Sequence, residues 1–193
     1  MILLCRQYQK HLSEIMPTRH QPVLLRESVQ ALQAQKGGVF VDATLGGGGH
    51  AEEILKAHPN NILIGIDRDS MAISRTEERL KKYGDRAIIV HSPFSAIETI
   101  VDDYADGRVD GIIADLGVSS DQIEDRNRGF SFQVDGPLDM RMDPATQKNS
   151  AAVLLAESSE DEIECWLKEF GEERFARKIA NTIINQRRFG PIL

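Results

Sequence analysis

The chain has 193 residues, with 41% apolar residues, 27% charged residues and a net charge of −7. That balance excludes wholesale disorder, and the length suffices for a core that needs neither disulfides nor structural metal. Only two cysteines occur, Cys5 and Cys165, in unlike contexts, which excludes a disulfide scaffold and a paired-cysteine zinc or redox site.

No apolar run approaches the ~20 residues of a membrane span, and the apolar start at Met1–Leu4 is too short for a secretory signal. A cytoplasmic location is expected. The acidic balance confines any nucleic-acid contact to a local basic patch.

Residues 1–19 read as an N-terminal extension, within which Met16 is an alternative start. From Pro22 to Gln35 the residues Val23, Leu25, Val29 and Leu32 fit one helical face, with Pro22 suited to a first turn. Strands are predicted at Val39–Ala43, Ile62–Asp67, Ala87–Val90 and Val109–Leu116. Helices alternate with them. One runs around His50–Ala57, one is capped by Asp69 or Ser70 and ends near Tyr83, and one opens on a capping box at Ser95–Glu98 and ends near Tyr104. This alternation predicts an α/β fold with a parallel, Rossmann-like sheet over residues 20–116. Residues 117–150 have no periodicity, and a segment that long is functional or disordered as a rule. The tail is helical, with a capping box at Ser159–Glu162 and Ile163, Trp166, Leu167 and Phe170 on one face. Residues 117–193 therefore form a second region.

Gly46-Gly47-Gly48-Gly49-His50-Ala51 follows a strand and opens a helix, fitting the G-x-G-x-x-G/A nucleotide pattern. Asp67 lies 21 positions after Gly46, at the end of the next strand, where a carboxylate can accept both ribose hydroxyls. Asp42 ends the first strand just before the glycines. A carboxylate there repels a pyrophosphate but suits a cofactor carrying an ammonium and a sulfonium, so it favours S-adenosylmethionine (SAM) over NAD. The alternative for Asp42 is a carboxylate that only caps the loop's amides. The helix dipole gives His50 a hydrogen-bonding rather than a cationic role, and no metal site is expected. Phe94, after the third strand, is an adenine-stacking candidate or a core aromatic. Asp115 follows the fourth. Asp42, Asp67, Phe94 and Asp115 all fall at or past carboxyl ends of strands, where open α/β sheets bind ligands.

These motifs resemble the RsmH (MraW) ribosomal RNA methyltransferases. The resemblance rests on His20–Leu25, Asp42–His50, Asp67-Arg68-Asp69, Asp115–Gln122, Arg128–Phe132, Gly136–Asp143 and Gly171–Ala176, and covers about residues 20–192. Ser92 stands where the family usually has Gly, and Phe170 where Tyr is common. The resemblance implies SAM-dependent methylation of the N4 amine of a cytidine in small-subunit rRNA, with the rRNA or the assembled small subunit as partner. It implies cofactor contacts from Gly48, Gly49, His50, Asp67, Phe94, Asp115 and Gln122, to which the glycine-loop reading adds Asp42 and Gly46. It also implies a helical substrate-recognition region after the fourth strand. The family continues past Ile192 to further strands, so this chain reads as an N-terminal portion.

Cytosine N4 is a poor nucleophile, and an acceptor for its N–H can hold and enrich it. Asp115, with the Leu116 backbone, is the catalytic candidate; the alternative is a cofactor contact only. The target base must be single-stranded or extruded. Between Glu98 and Asp125 the net charge is −8, whereas Glu172–Gly190 carries a net +3. RNA-binding candidates are therefore Arg174, Arg177, Lys178, Arg187 and Arg188, with Arg126, Arg128 and Arg141 in the long segment, where Phe130 and Phe132 are stacking candidates; solvated surfaces and a buried aromatic pair are the alternatives. The functions that compete are an active methyltransferase, an inactive remnant that binds SAM or RNA without turnover, and, disfavoured by Asp42, an NAD-dependent oxidoreductase. The strand Val109–Leu116 reads as interior, with both faces apolar. Lacking later strands it leaves an open edge and partly uncovered faces, and marginal stability or self-association, with weak or no turnover, is expected.

Overall fold

The computed structural model describes residues 22–192. The expected extension at 1–19, the alternative start at Met16 and the His20-Gln21 part of the first motif lie outside the described residues. The chain divides into two compact units that meet between Ser119 and Ser120.

The first unit begins with helix α1 (Leu25–Ala31) and a 3-10 turn at Ala34–Lys36. This is shorter than the helix predicted from Pro22. Leu24 and Gln33 both adopt left-handed backbone conformations that break the helix on either side, and Val23 is exposed. Strand β1 (Val39–Asp42), helix α2 (Gly49–Ala57), strand β2 (Ile62–Asp67), helix α3 (Ser70–Leu80), strand β3 (Ala87–His91), helix α4 (Ile97–Ala105) and strand β4 (Gly111–Ile113) follow. The sheet is parallel, in the order β3-β2-β1-β4.

Alternate residues of each strand enter opposite cores. Phe40 and Leu63 join Ala51, Ile54, Leu55, Ile73 and Leu80 of α2 and α3 on one face. Val41, Ile64 and Ile66 join Ile100 and Val101 of α4 on the other. Coverage of both faces is what a parallel sheet requires, and it explains why β1 and β2 are apolar throughout.

Two expectations are corrected in this unit. No side chain caps α4: Phe94–Ala96 form a 3-10 turn after Pro93, and Ala96 is the N-cap. The fourth strand covers Gly111–Ile113 rather than Val109–Leu116. Among the described residues it stands at the end of the sheet, with Ile112 51% exposed and Leu116, just past it, 70% exposed, in line with the expected open edge.

The second unit contains a short helix α5 (Ser120–Glu124), then a long ordered loop, then α6 (Ala151–Glu157), α7 (Glu160–Glu169) and α8 (Ala176–Gln186). The loop is held by its own bonds. Arg128 donates to the carbonyls of Arg141 (3.2 Å) and Met142 (2.7 Å), and Arg141 pairs with Asp139 at 2.6 Å. Asp143 accepts from the Ala145 N–H and the Thr146 hydroxyl, closing a turn before α6. The capping box at Ser159 and Glu162 is present. The buried residues Ile163 of α7 and Ala176 and Ala180 of α8 lie where these two helices pack together. Phe170 departs from the expected apolar face, because α7 ends at Glu169 and leaves it exposed.

Candidate functional site

The glycine loop is anchored at its root by both neighbouring strands. Leu45 N–H donates to the carbonyl of Ile66 at 3.0 Å, and Ala43 N–H to that of Ile113 at 2.8 Å. The Asp115 N–H donates to the Thr44 hydroxyl at 2.6 Å. The carboxyl ends of β1, β2 and β4 therefore converge on this loop.

Helix α3 holds the loop from the side. The buried Thr76 hydroxyl donates to the Gly46 carbonyl at 2.8 Å, and Arg79 donates to the Gly47 carbonyl at 2.7 Å. Gly48 is the N-cap of α2 in a left-handed conformation (φ 73°), and a Cβ there would lie 2.7 Å from the Thr76 methyl. A Cβ on Gly49 would lie 2.2 Å from Pro22 Cγ. The glycines are thus dictated by close packing as well as by backbone conformation. With no side chain at the N-cap, the first-turn amides of α2 can meet a ligand directly.

Glu52 of α2 is almost buried and receives Arg79 at 2.7 Å and Lys82 at 2.6 Å. Burial alone raises its pKa, but hydrogen bonds from Lys82 and Arg79, with the charges of Arg79 and Lys56, bring it down to about 2. Glu52 thereby orients the arginine that holds Gly47.

Three carboxylates gather at the loop. Asp42 is 1% exposed. Its Oδ1 accepts from Thr44 N–H at 3.2 Å, while Oδ2 makes no hydrogen bond to the described residues. Burial, reinforced by the charges of Asp67 and Asp115, pushes its pKa up to about 7 against the pull of the Thr44 and Ala51 amides. Asp67 accepts from Gly46 N–H at 2.7 Å and from Asp69 N–H at 2.8 Å, and burial raises its pKa despite these bonds. Asp115 is exposed. An orphaned, buried carboxylate oxygen with two more carboxylates nearby is a site short of positive charge. The loop-capping reading of Asp42 describes its Oδ1, and Oδ2 is buried without a partner among the described residues.

His50, at the start of α2, is buried and donates from Nε2 to the Val23 carbonyl at 3.2 Å. Phe94 is 53% exposed just past β3, which removes the core-aromatic alternative. Gln122 is buried within the second unit. The loop residues that sequence reasoning missed are Thr44, Thr76, Arg79 and Glu52.

Among the basic candidates, Arg174, Arg177, Lys178, Arg188 and Arg126 are exposed. Arg128 is reassigned: it is buried, and its guanidinium is committed to loop carbonyls. Arg187 donates to the carbonyls of Leu155 and Ser158 at the end of α6, and Arg141 is bound to Asp139. Phe132 is fully exposed, whereas Phe130 is half-buried.

The parallel sheet, the glycine loop opening α2 and the acidic strand ends define a Rossmann-like domain of the methyltransferase kind. The chain belongs to the MraW methylase family, whose model matches residues 17–193. It is 45% identical over 178 residues to the ribosomal RNA small subunit methyltransferase H of Symbiobacterium thermophilum, covering 92% of this chain and 56% of that protein. Proteins of the same description from Halothermothrix orenii and Clostridium botulinum (strain Kyoto / Type A2) are each 47% identical, over 90% and 92% of this chain and 55% and 57% of theirs. The chain thus spans little more than half the length of these relatives. No described helix is long and apolar enough to cross a membrane.

Proposed function

We propose that this chain carries the SAM-binding part of a methyltransferase that modifies the N4 amine of a cytidine in small-subunit rRNA, in the cytoplasm. The observation that carries the cofactor assignment is the unpartnered Asp42 Oδ2, buried beside Asp67 and Asp115. A pyrophosphate is repelled from such a place, whereas the ammonium and sulfonium of SAM are attracted to it. The relatives' printed names supply the rRNA.

SAM, when bound, supplies an electrophilic methyl group. Asp67 and Asp42 would hold its hydroxyl and cationic ends, Gly46, Gly48, Gly49 and His50 would form the loop against it, and Phe94 offers an aromatic face to its base. Asp115 accepts an N–H of the target amine and orients its lone pair; its exposure at the end of β4 leaves it within reach of substrate. Most of the remaining acceleration would come from holding the amine in line and excluding water, and the N–H proton held at Asp115 would pass to its carboxylate or to water once the nitrogen carries the methyl group. Arg126, Arg174, Arg177, Lys178 and Arg188 supply the cationic surface for RNA.

Calorimetric titration with SAM, with NAD as control, tests the cofactor. Methyl transfer to isolated small subunits, read as N4-methylcytidine by nucleoside mass spectrometry, tests the reaction. Binding of NAD in preference to SAM overturns the assignment. A second reading is that this chain binds SAM or RNA without turnover; SAM binding with no methyl transfer is its signature.

A further inference from the structure

Arg177, Lys178 and Asn181 share one face of the start of α8, and with Arg174 and Phe175 just before the helix and Glu160 of α7 they line one open cavity of about 520 Å³. That volume falls in the range, roughly 300–1,000 Å³, of sites for small organic groups. Phe175 is 63% exposed, an unusual position for a phenyl ring immediately before a helix. It does not cap α8 with its side chain, so helix formation gives no reason for it. Glu160 of α7 also lines the cavity, with Asn181 donating to it at 3.3 Å. The cavity therefore combines three cations, one bare aromatic face and a hydrogen-bonding pair.

The geometry assigns to this cavity one unpaired nucleotide of single-stranded RNA, its base on Phe175 and its phosphates among Arg174, Arg177 and Lys178. The assignment rests on the reading that the chain acts on RNA, and deepens it. A phosphate alone has no use for the ring, and a duplex hides its base faces; only an unstacked nucleotide uses both. Glu160 repels phosphate from its own wall, which directs the base rather than the backbone toward the Glu160–Asn181 pair. An acidic peptide would match the cations but leave Phe175 without a partner.

The test is fluorescence anisotropy on the 193-residue chain, with labelled dodecauridylate and an RNA duplex of equal length as probes, across a sodium chloride series. Phe175→Leu is expected to weaken single-strand binding five- to tenfold with an unchanged salt slope, and Phe175→Trp to restore it. Arg177→Gln and Lys178→Gln are each expected to lower the slope by about 0.7, the loss of one phosphate contact. Circular dichroism checks that the variants fold, which an exposed ring at a helix start permits. Binding indifferent to Phe175, equal affinity for duplex and single strand, or equal competition by polyglutamate overturns the assignment. SAM titration of the same variants separates the two proposals. Intact SAM binding with no RNA binding removes this site alone, whereas loss of SAM binding in the unaltered chain removes the methyltransferase reading.

Discussion

The carboxylate of Asp67 accepts the backbone N–H of Gly46 at 2.7 Å, so the end of β2 holds the first turn of a loop 21 residues earlier in the chain. The residue proposed to read the ribose is also a strut of the glycine loop. Its other oxygen is engaged by Asp69 N–H, and each oxygen retains a lone pair for a ligand hydroxyl.

Removing Asp67 should therefore act twice. Asp67→Ala is expected to weaken SAM binding by roughly 1.5–3 kcal/mol for each charge-assisted bond lost. It should also speed hydrogen exchange at the Gly46 amide in the absence of ligand. Asp67→Asn keeps an acceptor and should retain more of the loop's protection than of the affinity. Wild-type affinity in a folded Asp67→Ala variant would falsify the ribose role.

Asp42 predicts a pH dependence of both stability and binding. Its pKa is raised from 3.8 to about 7, so the unliganded protein loses stability as pH rises between these values. Asp42→Asn should be more stable than the unaltered chain, with the gap widening by roughly 2 kcal/mol from pH 5 to pH 7. A cationic ligand favours the ionised form, so SAM affinity should rise toward pH 7 and then flatten. The variant should bind weakly and without that slope. Chemical denaturation and calorimetry at pH 5, 6, 7 and 8 read both effects, and parallel pH profiles for the two proteins would remove Asp42 from the site.

Glu52 works in the opposite direction. Its pKa is lowered from 4.5 to about 2, so its stabilising contribution is present above pH 4.5 and is lost as the pH falls toward 2. Glu52→Gln should cost about 1–2 kcal/mol at neutral pH, a figure discounted because Arg79 and Lys82 are partly exposed. It should also loosen Arg79 from the Gly47 carbonyl and so weaken SAM binding with no change at Asp42 or Asp67. Denaturant midpoints alongside SAM titration test this; a stability loss with unaltered affinity would leave Glu52 as scaffold only.

The ends of β1, β2 and β3 were legible to within a residue because their apolar runs stop at charged or polar residues. The end of β4 was not. Its alternation continues through Leu116, but pairing with β1 stops at Ile113, and sequence does not reveal where a strand loses its partner. Asp42 and Asp67 could be placed because the glycine run marks the strand ends. Thr76 and Arg79 could not, since a threonine and an arginine on an amphipathic helix look alike whether they face water or a loop carbonyl. Arg128 misled for the same reason. The carbonyls that bury it belong to residues 141 and 142, and a charge count assigns every arginine to solvent.

The open edge gives the last prediction. Among the described residues β4 pairs with β1 on one side and ends the sheet on the other. Ile112, Leu116 and Val118 are all substantially exposed there. An unprotected edge with apolar side chains is a template for another strand, and neither a Pro nor a Lys falls within Gly111–Val118 to block it. The 193-residue chain is therefore expected to self-associate, with a sedimentation coefficient that rises with concentration. Ile112→Lys combined with Leu116→Lys should shift it to monomer without weakening SAM binding, because neither side chain belongs to the glycine loop or its struts. A concentration-independent sedimentation coefficient in the unaltered chain would show that this edge does not template association.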